Sequence, residues 1–212
     1  MIEDGLVRVN GAQAELGLMV DDSDTITVQG QSVNSQRPDP VYLAFNKPVG
    51  IMTSVDRYAK DTVRSFLQLD EHIFPVGRLD VASSGLLILT NDGALSERVT
   101  HPRFNHEKEY LVTVDRPVLR EDLRVMATGM MILGSMTKPA FVKKVGDQRF
   151  QITLTEGRNR QIRRMCEDLG YGVVALRRTR VMNIELGDLP AGAVRPLTQR
   201  ELRDLKRAVG LA

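Results

Sequence analysis

The chain has 212 residues, 42% of them apolar and 26% charged, with a formal net charge of +2 and one cysteine. That length suits one large domain or two smaller ones, and a lone Cys166 excludes an internal disulfide framework. No apolar run is long enough for a membrane span, and Met1-Ile-Glu-Asp4 lacks the basic start and apolar middle of a signal peptide, so a cytoplasmic location is expected.

Residues 1–33 read as a small β-rich unit. Leu6 to Val9 ends at the turn pair Asn10-Gly11, and Asp24 to Val28 forms a second short strand. This unit is acidic: up to residue 36 there is one arginine, Arg8, against six acids, so the rest of the chain carries the positive excess. Residues 34–40, with Pro38 and Pro40, read as a linker, and the main domain spans 41–212.

In the main domain, strands are expected near 41–46, 85–90, 107–114, 149–155 and 172–186, the last broken, with a hairpin in 130–145. Helices are expected near 61–68, 93–100, 119–128, 159–169 and 198–208. Thr198 and Glu201 have the spacing of a capping box. Leu86 to Leu89, bounded by Gly85 and Asn91-Asp92-Gly93, predict a strand buried on both faces. Several links are too short for helical crossovers, so a mixed, mainly antiparallel α+β domain is expected rather than a doubly wound sheet.

The inventory leaves carboxylate and arginine chemistry. Three histidines show no zinc-ligand spacing, and neither a nucleophile elbow nor a P-loop is present. Asn46-Lys-Pro-Val-Gly50 reads on its own as a turn. Asp80 and Arg78 lie in a Gly- and Ser-rich loop before the buried strand, where an Asp can serve a reaction or bond its own loop backbone. Tyr110 shares a strand face with Lys108, Val112 and Val114, as a core residue or as a platform for a flat base. Residues 156–180 carry seven arginines and no lysine: Arg158, Arg160, Arg163, Arg164, Arg177, Arg178 and Arg180. Planar guanidinium groups suit phosphate recognition, although a solvated helix face also fits. Asn159 is expected to cap the helix whose apolar face is Ile162, Met165, Cys166 and Leu169.

Five segments taken together resemble the RNA pseudouridine synthases of the RsuA and RluB/RluE/RluF group. They are Asn46 to Gly50, Phe74 to Gly93 with its Gly-Arg-Leu-Asp80, His106 to Asp115, Gly157 to Met165, and Arg177 to Asn183. The likeness covers nearly all of 41–205, and the third and fourth segments are most similar to the RluF type. The resemblance implies that Asp80 is the catalytic carboxylate, Tyr110 stacks on the target base and Arg163 pairs with Asp80. It also implies that Arg78 sits near the displaced nucleotide and that Ile162 lines the pocket. It further implies a cofactor-free isomerisation of a flipped-out uridine in ribosomal RNA, large-subunit rather than small-subunit. A monomer with no membrane partner is expected. Residues 1–33 resemble the second half of an S4-like RNA-binding domain whose first helices are missing. Two other functional classes remain open: a non-catalytic RNA-binding or ribosome-assembly protein using the Arg158–Arg180 segment, and a small-molecule enzyme using the Asp–Arg pair.

Overall fold

The computed structural model describes every residue except 22, 34–38, 57, 70, 71 and 212. Residues 34–38 of the expected linker therefore lie outside the described residues. Contacts divide the chain into Met1–Pro40 and Val41–Ala212.

The first unit is a four-stranded antiparallel sheet in the order β2-β1-β3-β4, with β1 Val7–Val9, β2 Ala12–Gln13, β3 Ile26–Val28 and β4 Gln31–Ser32. Asn10-Gly11 and Gln29-Gly30 make the two hairpin turns, each with both residues at positive φ. That geometry matches the twist of the strands it joins. The short β2 and β4 are additions to the two strands expected.

The second unit begins with β5 Tyr42–Lys47, α1 Val63–Leu67, β6 Phe74–Val76, β7 Ser84–Thr90 and α2 Gly93–Thr100. Then follow β8 Lys108–Val114, α3 Arg120–Thr128, β9 Met131–Ile132, β10 Ser135–Met136, β11 Phe141–Gly146 and β12 Arg149–Leu154. The chain closes with α4 Gln161–Asp168, β13 Val173–Val181, β14 Ile184–Glu185, β15 Val194–Pro196 and α5 Gln199–Ala208. Seven strands run in the order β11-β12-β8-β13-β7-β5-β15, with β14 on β13 and β6 on β7. Among the described strands the one parallel ladder is β13 with β7, so the sheet is mixed and mainly antiparallel, as expected.

β7 is the spine. Leu86 and Ile88 pack into one cluster with Leu95, Ile184 and Leu205; Leu87 and Leu89 pack into another with Phe45 and Val63. A third core joins β8 and β12 to α3 and α4 through Val112, Phe150, Ile152, Met126 and Met165. Alternate side chains of a strand point to opposite faces, so an unbroken apolar run fills two cores at once. The capping box at Thr198 and Glu201 forms as expected.

Two local expectations gain detail and one is overturned. The 130–145 region is a small hairpin, β9 with β10, followed by β11, which pairs with β12 in the main sheet. The 172–186 strand breaks at Met182-Asn183, where β13 turns back into β14. Helix α4 is capped not by Asn159 but by Arg160, in the left-handed region with no side-chain cap; the Asn159 side-chain oxygen accepts from Arg164 Nη2 instead.

Candidate active site

The parallel ladder sets Arg178 beside Gly85, and this contact organises the loop that precedes β7. From residue 78 to residue 82, every backbone carbonyl of the loop is held. Arg178 Nη1 donates to Arg78 O at 3.2 Å, and Thr53 Oγ1 donates to Leu79 O at 2.7 Å while accepting from Leu79 N. Ser83 N donates to Asp80 O at 3.0 Å and Gly50 N to Val81 O at 2.9 Å. Arg163 Nη2 donates to Ala82 O at 2.8 Å. A carboxylate carried on such a loop is positioned before any ligand arrives.

Asp80 lines a cleft of about 430 Å³ together with Arg78, Tyr110, Ile162, Leu176 and Arg178. The face of β8 that holds Lys108 and Tyr110 forms one wall, adjoining Leu176 and Arg178 of β13. Residues 156–162, which lead into α4, also line the cleft. Tyr110 is half-buried, so part of its ring is open to the cleft. A flat ring, an apolar Leu176 and Ile162, and a carboxylate on a fixed loop can hold a planar heterocycle and react with it.

The charges around Asp80 are mostly buried. Lys47 is fully buried, and its Nζ donates to Pro48 O at 2.8 Å and Ile51 O at 2.7 Å. Burial pushes its pKa down to about 8, against the opposing pull of the Asp80 carboxylate. Arg163 is likewise lowered by burial and by Arg160, with Asp80 acting in the opposite direction. Cys166 is fully buried and its thiol is pushed up to about 12 by desolvation, which makes it inert packing.

The seven arginines, read as one basic segment, are dispersed by the fold. Arg160 is exposed on the cleft rim, and Arg178 donates to the Asp80 loop at Arg78 O. Arg163, expected to pair with Asp80, instead holds the loop through Ala82 O, with no ion pair to the carboxylate and no place in the cleft lining. Arg158 lines the cleft, but its guanidinium is occupied by Glu156, by the carbonyl and hydroxyl of Ser135, and by Met136 O. Arg164 bonds Asn159. Arg177 and Arg180 are not brought to the Asp80 cleft: they line a separate groove with Glu109, Thr179 and Glu185, and Arg180 pairs with Glu107 and Glu109. Alternation along β13 separates Arg177 from Arg178, and an irregularity between Arg178 and Arg180 separates the third.

Sequence reasoning passed over Thr53 and Lys47 as parts of the site, and Lys108 and Leu176 as cleft residues. The Asn46 to Gly50 segment, read alone as a turn, supplies the Gly50 anchor and the buried lysine. The alternation that puts Tyr110 in the cleft also puts Lys108 there. Among the described residues no group of three or more His, Cys, Asp or Glu side chains could hold a metal ion. Nor is any helix long and apolar enough to cross a membrane.

Residues 41–168 match the family model described as RNA pseudouridylate synthase. The chain is 45% identical over 209 residues to the dual-specificity RNA pseudouridine synthase RluF of Escherichia coli strain K12, covering 98% of this chain and 72% of that protein. It is 37% identical over 215 residues to the ribosomal large subunit pseudouridine synthase B of Bacillus subtilis strain 168, covering 97% and 87% respectively. A crystal structure of a pseudouridylate synthase superposes with a TM-score of 0.75 at 34% identity, covering 96% of this chain and 90% of that one.

Proposed function

This chain belongs to the RNA pseudouridylate synthase family, and we propose that it isomerises a specific uridine of ribosomal RNA with Asp80 as the catalytic carboxylate. The observation that carries the reading is the loop of residues 78–82, held at each carbonyl so that Asp80 faces a cleft walled by Tyr110, Leu176 and Ile162.

Conversion of uridine to pseudouridine breaks the bond from C1′ of the ribose to N1 of the base. The base turns, a bond forms from C1′ to C5, the C5 proton departs and N1 ends with a proton. Nothing is oxidised or reduced and no group is donated. The chemistry calls for one carboxylate at the reacting nucleotide, and Asp80, which interacts electrostatically with Lys47 and Arg163, is the one the loop presents to the cleft. Tyr110 offers a face on which the uracil stacks, and Ile162 and Leu176 exclude water around it. A uridine reaches this cleft only when flipped from its helix, and Arg78, exposed at the mouth, is placed to occupy the space it leaves. Arg160 on the rim faces the backbone phosphates.

Large-subunit ribosomal RNA is the proposed substrate, in keeping with the name of the Bacillus subtilis relative. We also assign residues 1–33 as the second half of an S4-like RNA-binding domain and the protein as a monomer. Incubating the protein with ribosomal RNA lacking pseudouridine and mapping the product base by base tests the reading. One or a few modified uridines in the large-subunit RNA are expected; modification confined to small-subunit RNA would overturn the substrate assignment.

A further inference from the structure

We propose that Lys108 and Arg178 form a seat for a phosphate of the target nucleotide inside the Asp80 cleft. The proposal rests on the reading of that cleft as the site for a uridine in RNA.

Arg178 is 2% exposed. Its Nε donates to Leu86 O at 2.7 Å and its Nη1 to Arg78 O, but Nη2 is buried with no hydrogen-bond partner. A buried guanidinium normally has its donors filled, because an unmade hydrogen bond to a charged group leaves its desolvation uncompensated. Lys108 stands on the same face of the sheet and lines the same cleft. Its Nζ has one hydrogen-bond partner among the described residues, His106 O at 3.2 Å, which leaves two ammonium protons uncommitted. Burial and the Arg178 charge both push the Lys108 pKa down, so the two cations lie near enough to repel one another.

The local charge is not balanced from within. Glu156, the other carboxylate of the cleft, is taken up by Arg158, and Asp80 makes an ion pair with neither Lys108 nor Arg178. A uracil carbonyl would fill the donors yet leave two positive charges facing each other. A phosphate oxygen fills the donors and removes the repulsion. A nucleotide whose base lies on Tyr110 carries such a group: Arg178 pairs across the sheet with Tyr110, and Lys108 lies two residues from it on the same strand face.

Uridine and its 5′- and 3′-monophosphates, titrated against the full chain at constant ionic strength, test the proposal. One of the monophosphates is expected to bind about tenfold or more tightly than uridine, the ratio appropriate to a charge-assisted contact. In Lys108→Met that preference should shrink to about twofold. Equal binding of all three by the wild-type protein would overturn the seat whether or not the variant folds, and so would an unchanged preference in Lys108→Met. The reading of the cleft fails separately, if the wild-type protein forms no pseudouridine in ribosomal RNA.

Discussion

Gly85 presses its backbone against that of Arg178: a Cβ at position 85 would stand 2.2 Å from the Arg178 carbonyl oxygen and 2.6 Å from its amide nitrogen. Gly85 also sits at φ +106°, where side-chain-bearing residues are strained. This close approach lets β13 run beside β7, and it brings the Arg178 guanidinium beneath the Asp80 loop.

Replacing Gly85 with alanine is therefore expected to destabilise the fold by roughly 4 kcal/mol or more, because two backbones would have to part. Urea denaturation checks this, and an unchanged midpoint would contradict the packing described.

Arg158 should act as a pin rather than as a phosphate contact. Its guanidinium ties Glu156 to Ser135 and Met136 in the β9–β10 hairpin. In Arg158→Ala, amide exchange at residues 130–137 should accelerate about tenfold or more, while exchange in β7 stays unchanged. Unaltered protection of the hairpin would return Arg158 to the pool of RNA contacts.

Lys47 gives a pH signature. Its folded pKa of about 8 lies below the ordinary lysine value of 10.5, so above pH 8 the unfolded chain binds more protons than the folded one. Its penalty on folding is full below pH 8 and is relieved as the pH climbs to 10.5. Relative to Lys47→Met, the wild-type protein should gain stability on the order of 3 kcal/mol across that window. A constant difference between the two proteins would show that Lys47 is not held in this environment.

Glu201 has the opposite sense. Hydrogen bonds from Arg195, then those of the Thr198 cap, hold its carboxyl at about 2, below the usual 4.5. Its contribution is present above pH 4.5 and is lost as the pH falls through 2. Glu201→Gln should cost about 2 kcal/mol near neutrality, less than the full shift implies because the pair is partly solvated. The gap between variant and wild type should close toward pH 2; a gap constant with pH would contradict the pairing.

The parts of this protein that were legible in its sequence are those set by local pattern. The apolar run Leu86–Leu89 announced a strand buried on both faces, and Thr198 with Glu201 announced a helix start. β6 and β15 went unseen because each contains a proline, which is compatible with a strand at a sheet margin; β6 pairs with β7 alone and β15 with β5 alone. The α4 cap was misassigned because Asn159 has the right chemistry for the role but its oxygen accepts from Arg164 instead. At the site, Asp80, Tyr110 and Arg78 were visible through motifs, whereas Thr53 acts through a contact with the distant Leu79 and the turn pattern around Lys47 says nothing of its burial. The arginine run concealed more than it showed, since strand alternation and one irregularity send its members to separate places.

The proposed role of Asp80 in the isomerisation has a direct chemical readout. Forming pseudouridine expels the hydrogen on C5, so ribosomal RNA labelled with tritium at that carbon reports each turnover as tritium released to water. Wild-type protein should release label in proportion to the modified uridine, and Asp80→Asn, with an unchanged melting temperature, should release none above background. Release by Asp80→Asn at a rate near that of the wild type would contradict the claim.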